Sequence, residues 1–208
     1  MIRAALALLV VVAAWPAIAS AREWTFDVSL DGLPIGTHRF ELRGDGATAR
    51  LTSDARFRVR LLVVDAYSYE HHADETWQGD CLVAFESRTI EQGKTTEVAG
   101  RTDGDAFVVE GPGGRETLAR CPMTFAYWNP AILRQKQLIN PQTGAATPIA
   151  VEPLGNEPVK VRGASVEVTR QRIQTDKTSI EVLYTASGEW VGLRSRTREG
   201  HVLGYRLR

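Results

Sequence analysis

Trp24-Thr25-Phe26-Asp27-Val28-Ser29-Leu30-Asp31-Gly32 decides the fold class. Apolar side chains at 24, 26, 28 and 30 alternate with polar ones at 25, 27 and 29. That period of two belongs to a strand with one face buried. Asp31-Gly32 then supplies the residue pair that a tight hairpin turn prefers, because both positions tolerate positive φ. Working outward, Leu33 to Arg43 forms the returning strand and Gly44-Asp45-Gly46 the next turn. Ala55, Phe57, Val59, Leu61 and Val63 alternate with Arg56, Arg58 and Arg60. From Ala66 to Trp77 the alternation puts Tyr67, Tyr69, His71, Glu75 and Trp77 on one face, and Gly79-Asp80 ends it. Leu82 to Glu91, Thr95 to Arg101, Ala106 to Val109 and Arg115 to Ala119 continue the series.

The rhythm breaks once. Pro130 to Leu138 favours helix, with Asn129 as its cap and proline in its first turn. Pro148 to Pro158 reads as an extended connection. Strands over Ser165 to Ile173, Ser179 to Thr185, Trp190 to Arg198 and His201 to Leu207 finish the chain. About ten strands at roughly 8 to 12 residue spacing, with one short helix, predict a mainly β protein. The expected architecture is a single curved antiparallel sheet or half-open β-barrel spanning 22–208. No fixed-period repeat points to a solenoid or propeller.

Composition narrows the function classes. The 208 residues carry 25 basic and 25 acidic side chains and are 43% hydrophobic, enough apolar material for one core. Zero net charge gives no overall field to draw phosphate, so a nucleic-acid partner is not expected. Residues 1–21 read as a signal peptide: Arg3, an apolar run from Ala4 to Trp15, then Ala19-Ser20-Ala21 as the cleavage pattern. Ala17-Ile18-Ala19 fits the same pattern two residues earlier. The run is shorter than the roughly 20 apolar residues that cross a bilayer. The mature protein is expected to be soluble and periplasmic, with no membrane span. In an oxidising compartment an isolated cysteine pair usually joins, so Cys81 and Cys121 are expected as a disulfide. Two buried thiols or half a metal site are the alternatives, and no C-x-x-C spacing supports the latter.

Chemistry is sparse. In Glu70-His71-His72-Ala73-Asp74-Glu75, strand geometry sends His71 and Glu75 to one side and His72 and Asp74 to the other. The ordinary reading is a polar strand with a His–carboxylate pair across the sheet; a ligand cavity or a metal or catalytic site are the sharper ones. No G-x-S-x-G and no glycine-rich loop before a helix occur. No catalytic residue, metal or cofactor is expected. Arg56, Arg58 and Arg60 form a basic row that is a solvated face or meets an anionic partner. Tyr67, Tyr69 and Trp77 share their face with His71 and Glu75, which a dry core would not accept but a ligand-lined interior could. Phe125, Tyr127 and Trp128 precede the helix, which could plug an open sheet end. All six aromatics serving as plain core is the alternative.

Trp24-x-Phe26-x-Val28, Tyr67-x-Tyr69, Glu75-x-Trp77, Tyr127-Trp128-Asn129-Pro130 and Asn140-Pro141-Gln142-Thr143-Gly144 carry a resemblance across nearly the whole mature chain. The chain resembles a family of exported bacterial proteins known as a domain of unknown function, which brings no catalytic residues with it. More distantly it looks like the periplasmic lipoprotein-carrier type of fold, a curved antiparallel sheet closed by helices. Carriers of that type use several helices where this chain shows one, and fold does not establish function. The leading expectation is a non-enzymatic protein holding an apolar or amphipathic ligand, a lipid foremost. Tyr67, Tyr69, His71, Glu75, Trp77, Tyr127 and Trp128 would line the site. An envelope scaffold using a sheet edge or the arginine row to meet a protein partner is the second expectation. A hydrolase or isomerase using His71 and Glu75 is the third.

Overall fold

A computed structural model describes residues 20–44, 47–61, 64–196 and 200–208. The leader up to Ala19, Asp45-Gly46 of one expected turn, Val63 and Arg198 of two expected strands, and the side chain of Arg60 lie outside the described residues.

The alternating segments form strands β1 (Ser20–Leu30), β2 (Leu33–Gly44), β3 (Thr48–Leu61), β4 (Val64–Gln78) and β5 (Cys81–Glu91). β6 (Lys94–Asp103), β7 (Ala106–Gly111) and β8 (Gly114–Ala119) follow. After a non-sheet stretch come β9 (Gln137–Ile139), β10 (Ala146–Pro148), β11 (Ala150–Val161), β12 (Ala164–Gln174), β13 (Ser179–Thr185), β14 (Trp190–Arg196) and β15 (Val202–Leu207). Thirteen strands make one antiparallel sheet in the order β11-β12-β13-β14-β15-β1-β2-β3-β4-β5-β6-β7-β8, and β9 and β10 pair separately. The expected curved sheet is thus present, and it does not close: β8 and β11 are its edges.

Turn chemistry sets the registers. Asp31-Gly32, Gln92-Gly93 and Arg162-Gly163 each hold two consecutive residues at positive φ, the two-residue turn whose twist matches paired strands. The Asp31 carboxylate also accepts the Val202 N–H at 2.8 Å, fastening this turn to the start of β15. At Gly36 a Cβ would fall 1.9 Å from the Arg56 carbonyl oxygen, so only glycine lets β2 approach β3 there. Register slips at Val28/Ser29, Thr76/Trp77, Pro153/Gly155 and Leu183/Tyr184 bend the sheet at points where one strand gains a residue. One end of the sheet is tied across its strands by charge: Glu157 of β11 meets Arg194 of β14 at 2.6 Å and Arg170 of β12 at 3.1 Å, and Arg170 and Arg194 both reach Glu181 of β13.

Two expectations fail here. The predicted Pro130 to Leu138 helix is a 3-10 turn over Pro130–Arg134, after which Gln135 turns extended and Gln137–Ile139 becomes β9. Asn129 does cap it, its side chain accepting from the Ala131 N–H at 2.9 Å. A helix of that length is marginal alone; here Leu138 pairs with Thr147, and the Ile139 N–H donates to the Met123 carbonyl at 2.8 Å. Pairing outside the segment overrides its propensity. The predicted connection Pro148 to Pro158 is mostly β11, hydrogen-bonded to β12. Pro153 and Pro158 are tolerated because β11 is an edge and offers one side to no neighbour.

The stretch 120–149 packs against the inner face of the sheet. Cys121 is bonded to Cys81 at the first residue of β5, as expected. Met123, Ile132, Leu138 and Ile139 are fully buried with Trp77, Leu82, Phe85 and Phe107 from the sheet. On the opposite flank the Tyr184 hydroxyl donates to the Tyr127 carbonyl at 2.7 Å. One apolar cluster is built around this stretch, and a second, smaller one holds Val28, Ala55, Phe57 and Tyr69.

Candidate functional site

A cavity of about 850 Å³ is lined by side chains bordering both clusters. Its walls are the inner faces of β2, β3, β4, β13, β14 and β15, and its floor is the 120–149 stretch. Strand alternation delivers the β4 side chains as expected. Tyr69, His71, Ala73, Glu75 and Trp77 are buried, with Tyr67 half-buried and His72 and Asp74 outside. Tyr67, Tyr69, His71, Glu75, Tyr127 and Trp128 all line the cavity.

Trp77 does not. It is fully buried beyond the cavity, edge-on to Trp128 with ring centres 5.4 Å apart. Its role at the site is indirect: its Nε1–H donates to Glu75 Oε2 at 2.9 Å. Sequence reading also left most of the lining unassigned to the site, His38, Ser53, Phe57 and Tyr205 among it. Ser53 and Phe57 continue the β3 alternation through Ala55, and the Asp31-Gly32 hairpin places His38 opposite Phe26. Those signals were readable. Tyr205 arrives through pairing of β15 with β1, which nothing local announces.

Polar groups in this interior are held in pairs, and burial works against their charged forms. His38 Nε2 lies 2.8 Å from Ser53 Oγ and its Nδ1 3.3 Å from the Tyr205 hydroxyl. Its ring stacks on Phe40 at 4.0 Å. Burial, reinforced by repulsion from His71, lowers its pKa to about 3. His71 Nδ1 lies 2.9 Å from Thr89 Oγ1, and burial lowers its pKa to about 4. Glu75 accepts from Thr124 at 2.8 Å as well as from Trp77, yet burial outweighs both bonds and raises its pKa to about 7. Burial also pushes Tyr69 and Tyr205 well above the usual phenol range. Phe57 stacks on Tyr69 with centres 5.2 Å apart and planes 9° apart, making an aromatic wall.

His71 and Glu75 therefore do not act on each other; each is bonded to a different threonine. The cross-strand His–carboxylate pair exists, but on the outer face, where His72 Nδ1 lies 2.8 Å from Asp54 and Nε2 3.3 Å from Asp74. Among the described residues no group of three His, Cys, Asp or Glu side chains could hold a metal ion. Arg56 and Arg58 are exposed and outside the cavity, Arg58 lying 4.0 Å from Glu70. No helix of the described residues is long and apolar enough to cross a membrane. What the arrangement can do is enclose: an aromatic and aliphatic lining, a few oriented neutral polar groups, and access where exposed Glu91 and Gln142 meet solvent.

The chain belongs to the family described as domain of unknown function DUF6134, whose model matches residues 26–208. No curated protein matches it. Among solved structures it is similar to the crystal structure of a beta-barrel-like protein of domain of unknown function DUF1849 from Brucella abortus. That likeness has a TM-score of 0.64 over 89% of this chain and 94% of the other, at 12% identity. It is a likeness of fold alone.

Proposed function

We propose that this chain is a non-enzymatic periplasmic protein that holds an apolar or amphipathic ligand, a lipid foremost, inside its curved sheet. The observation that carries this reading is the cavity of about 850 Å³, in the size range of small-molecule sites and lined mainly by apolar and aromatic side chains. Its buried histidines and Glu75 are each engaged by a neighbour and separated from one another, which suits holding a ligand better than moving its protons. The leader-like order of residues 1–21 and the joined cysteines support export to an oxidising space. Cleavage after Ala19 would leave β1 whole, and cleavage after Ala21 would remove its first two residues. The sheet edges are poorly suited to scaffolding by strand addition, with Pro153 and Pro158 in β11 and Arg115 and Glu116 in β8.

Native mass spectrometry of the mature protein, purified from periplasm without detergent, tests this reading. An adduct of lipid mass that solvent extraction releases is the expected result. A mass equal to the bare chain, unchanged after incubation with envelope lipid extract, overturns it.

A further inference from the structure

The cavity differs from a fatty-acid or phospholipid site in its charge. Among the described residues lining it there is no lysine and no arginine. Of the arginines beside lining residues, Arg39 is bonded to Glu23 and Arg194 to Glu157. The lining's two carboxylates, Glu75 and Glu91, already accept hydrogen bonds, Glu91 from the Tyr67 hydroxyl at 2.8 Å. An anionic headgroup drawn inside would meet acceptors and no counter-ion, and a buried unpaired charge is strongly disfavoured. One donor stands unused. Trp128 lines the cavity, and its Nε1–H is buried with no acceptor among the described residues. Buried donors are seldom left so, and a ligand oxygen would satisfy it.

We infer that the cavity selects an uncharged amphipathic ligand, a lipid whose polar end is a hydroxyl or carbonyl, with an oxygen accepting from Trp128 Nε1–H. This rests on the ligand-binding reading above. The histidines do not alter the balance, because burial keeps both neutral near pH 7.

The test is displacement of the fluorescent apolar probe N-phenyl-1-naphthylamine from the mature protein at about pH 6, where laurate and the amine are ionised while Glu75, raised to about 7, keeps its proton. Three competitors of one chain length differ only at the head: dodecanol, laurate and dodecylammonium. Dodecanol is expected to displace the probe at concentrations at least roughly tenfold lower than either ion. Trp128→Phe keeps an aromatic ring and removes the donor. It should weaken dodecanol roughly fivefold more than it weakens the probe. Laurate or dodecylammonium competing as well as dodecanol would overturn the inference and leave the binding reading standing. If neither the probe nor any competitor binds, the binding reading falls and takes this inference with it. Equal loss of probe and dodecanol in the variant would assign Trp128 to packing and overturn its part as donor.

Discussion

Replacing Glu75 by glutamine should change how the stability of the protein depends on pH, by an amount the structure sets. In the unfolded chain a glutamate titrates near 4.5; in the folded protein burial raises Glu75 to about 7. Between those values the folded state keeps a proton that the unfolded state has lost. Stability from this group is therefore fully present below pH 4.5 and is lost as pH rises to about 7. At 1.36 kcal/mol per unit, the loss across that window is about 3 kcal/mol. Glutamine does not titrate. Its oxygen can accept from Trp77, and its NH2 then donates to the Thr124 hydroxyl, which must reverse its role; weaker neutral bonds in place of those to a carboxyl cost about 1 kcal/mol at every pH. The informative quantity is thus the change in the difference between variant and parent, not its value at one pH. Urea unfolding of the disulfide-intact proteins, followed by tryptophan fluorescence and circular dichroism, measures it without adding ionic strength. Glu75→Gln should gain about 3 kcal/mol relative to the parent between about pH 4.5 and pH 8. A difference that stays flat across that range would show that Glu75 is ionised in the fold, and would refute the account of a neutral interior.

Three further outcomes follow from other parts of the molecule. His71 should act in the opposite sense: its folded pKa of about 4 lies below the ordinary 6.5, so its stabilising share is present above pH 6.5 and lost as pH falls toward 4. Acid unfolding of His71→Gln should accordingly begin at lower pH than in the parent, and an unchanged acid midpoint would contradict this. Converting both Cys81 and Cys121 to serine opens a loop with a sequence separation of 40, which should cost roughly 4 kcal/mol in denaturant midpoint experiments. Gly100→Ala should cost about 1 to 3 kcal/mol, read as a fall in Tm. Its methyl would come within 2.3 Å of Phe85 Cε1 and 2.7 Å of Phe107 Cε1, two buried rings stacked with no room to part.

The strands of this fold were legible because burial on one face writes a period of two into the chain, as at Trp24, Phe26 and Val28. The same periodicity identified the β4 face that lines the cavity. Alternation names a face but not a depth, however. That is why Trp77, on the correct side, sits in the core beyond the cavity end. Ser53 and His38 needed only the alternation and hairpin count to be carried two residues further. Tyr205 and the 120–149 stretch lay beyond such reasoning, because their positions depend on partners far away in the chain. Prolines misled twice, in suggesting a helix start that leads only to a 3-10 turn and in hiding the edge strand β11.

Placing the last strand beside the first has a consequence for the order of assembly. β1 lies mid-sheet, with β2 on one side and β15 on the other. Its β2 side can form as soon as the Asp31-Gly32 hairpin emerges, but its other side has no neighbour until β15 has been made. The Arg208–Asp27 contact that seals this seam spans a sequence separation of 181. Closing so long a loop is slow and entropically costly, and until then the nascent chain displays an unpaired strand edge with Trp24, Phe26 and Val28 uncovered on its apolar face. The same topology makes the C-terminal residues indispensable. Loss of β15 would split the sheet at its middle rather than trim its edge.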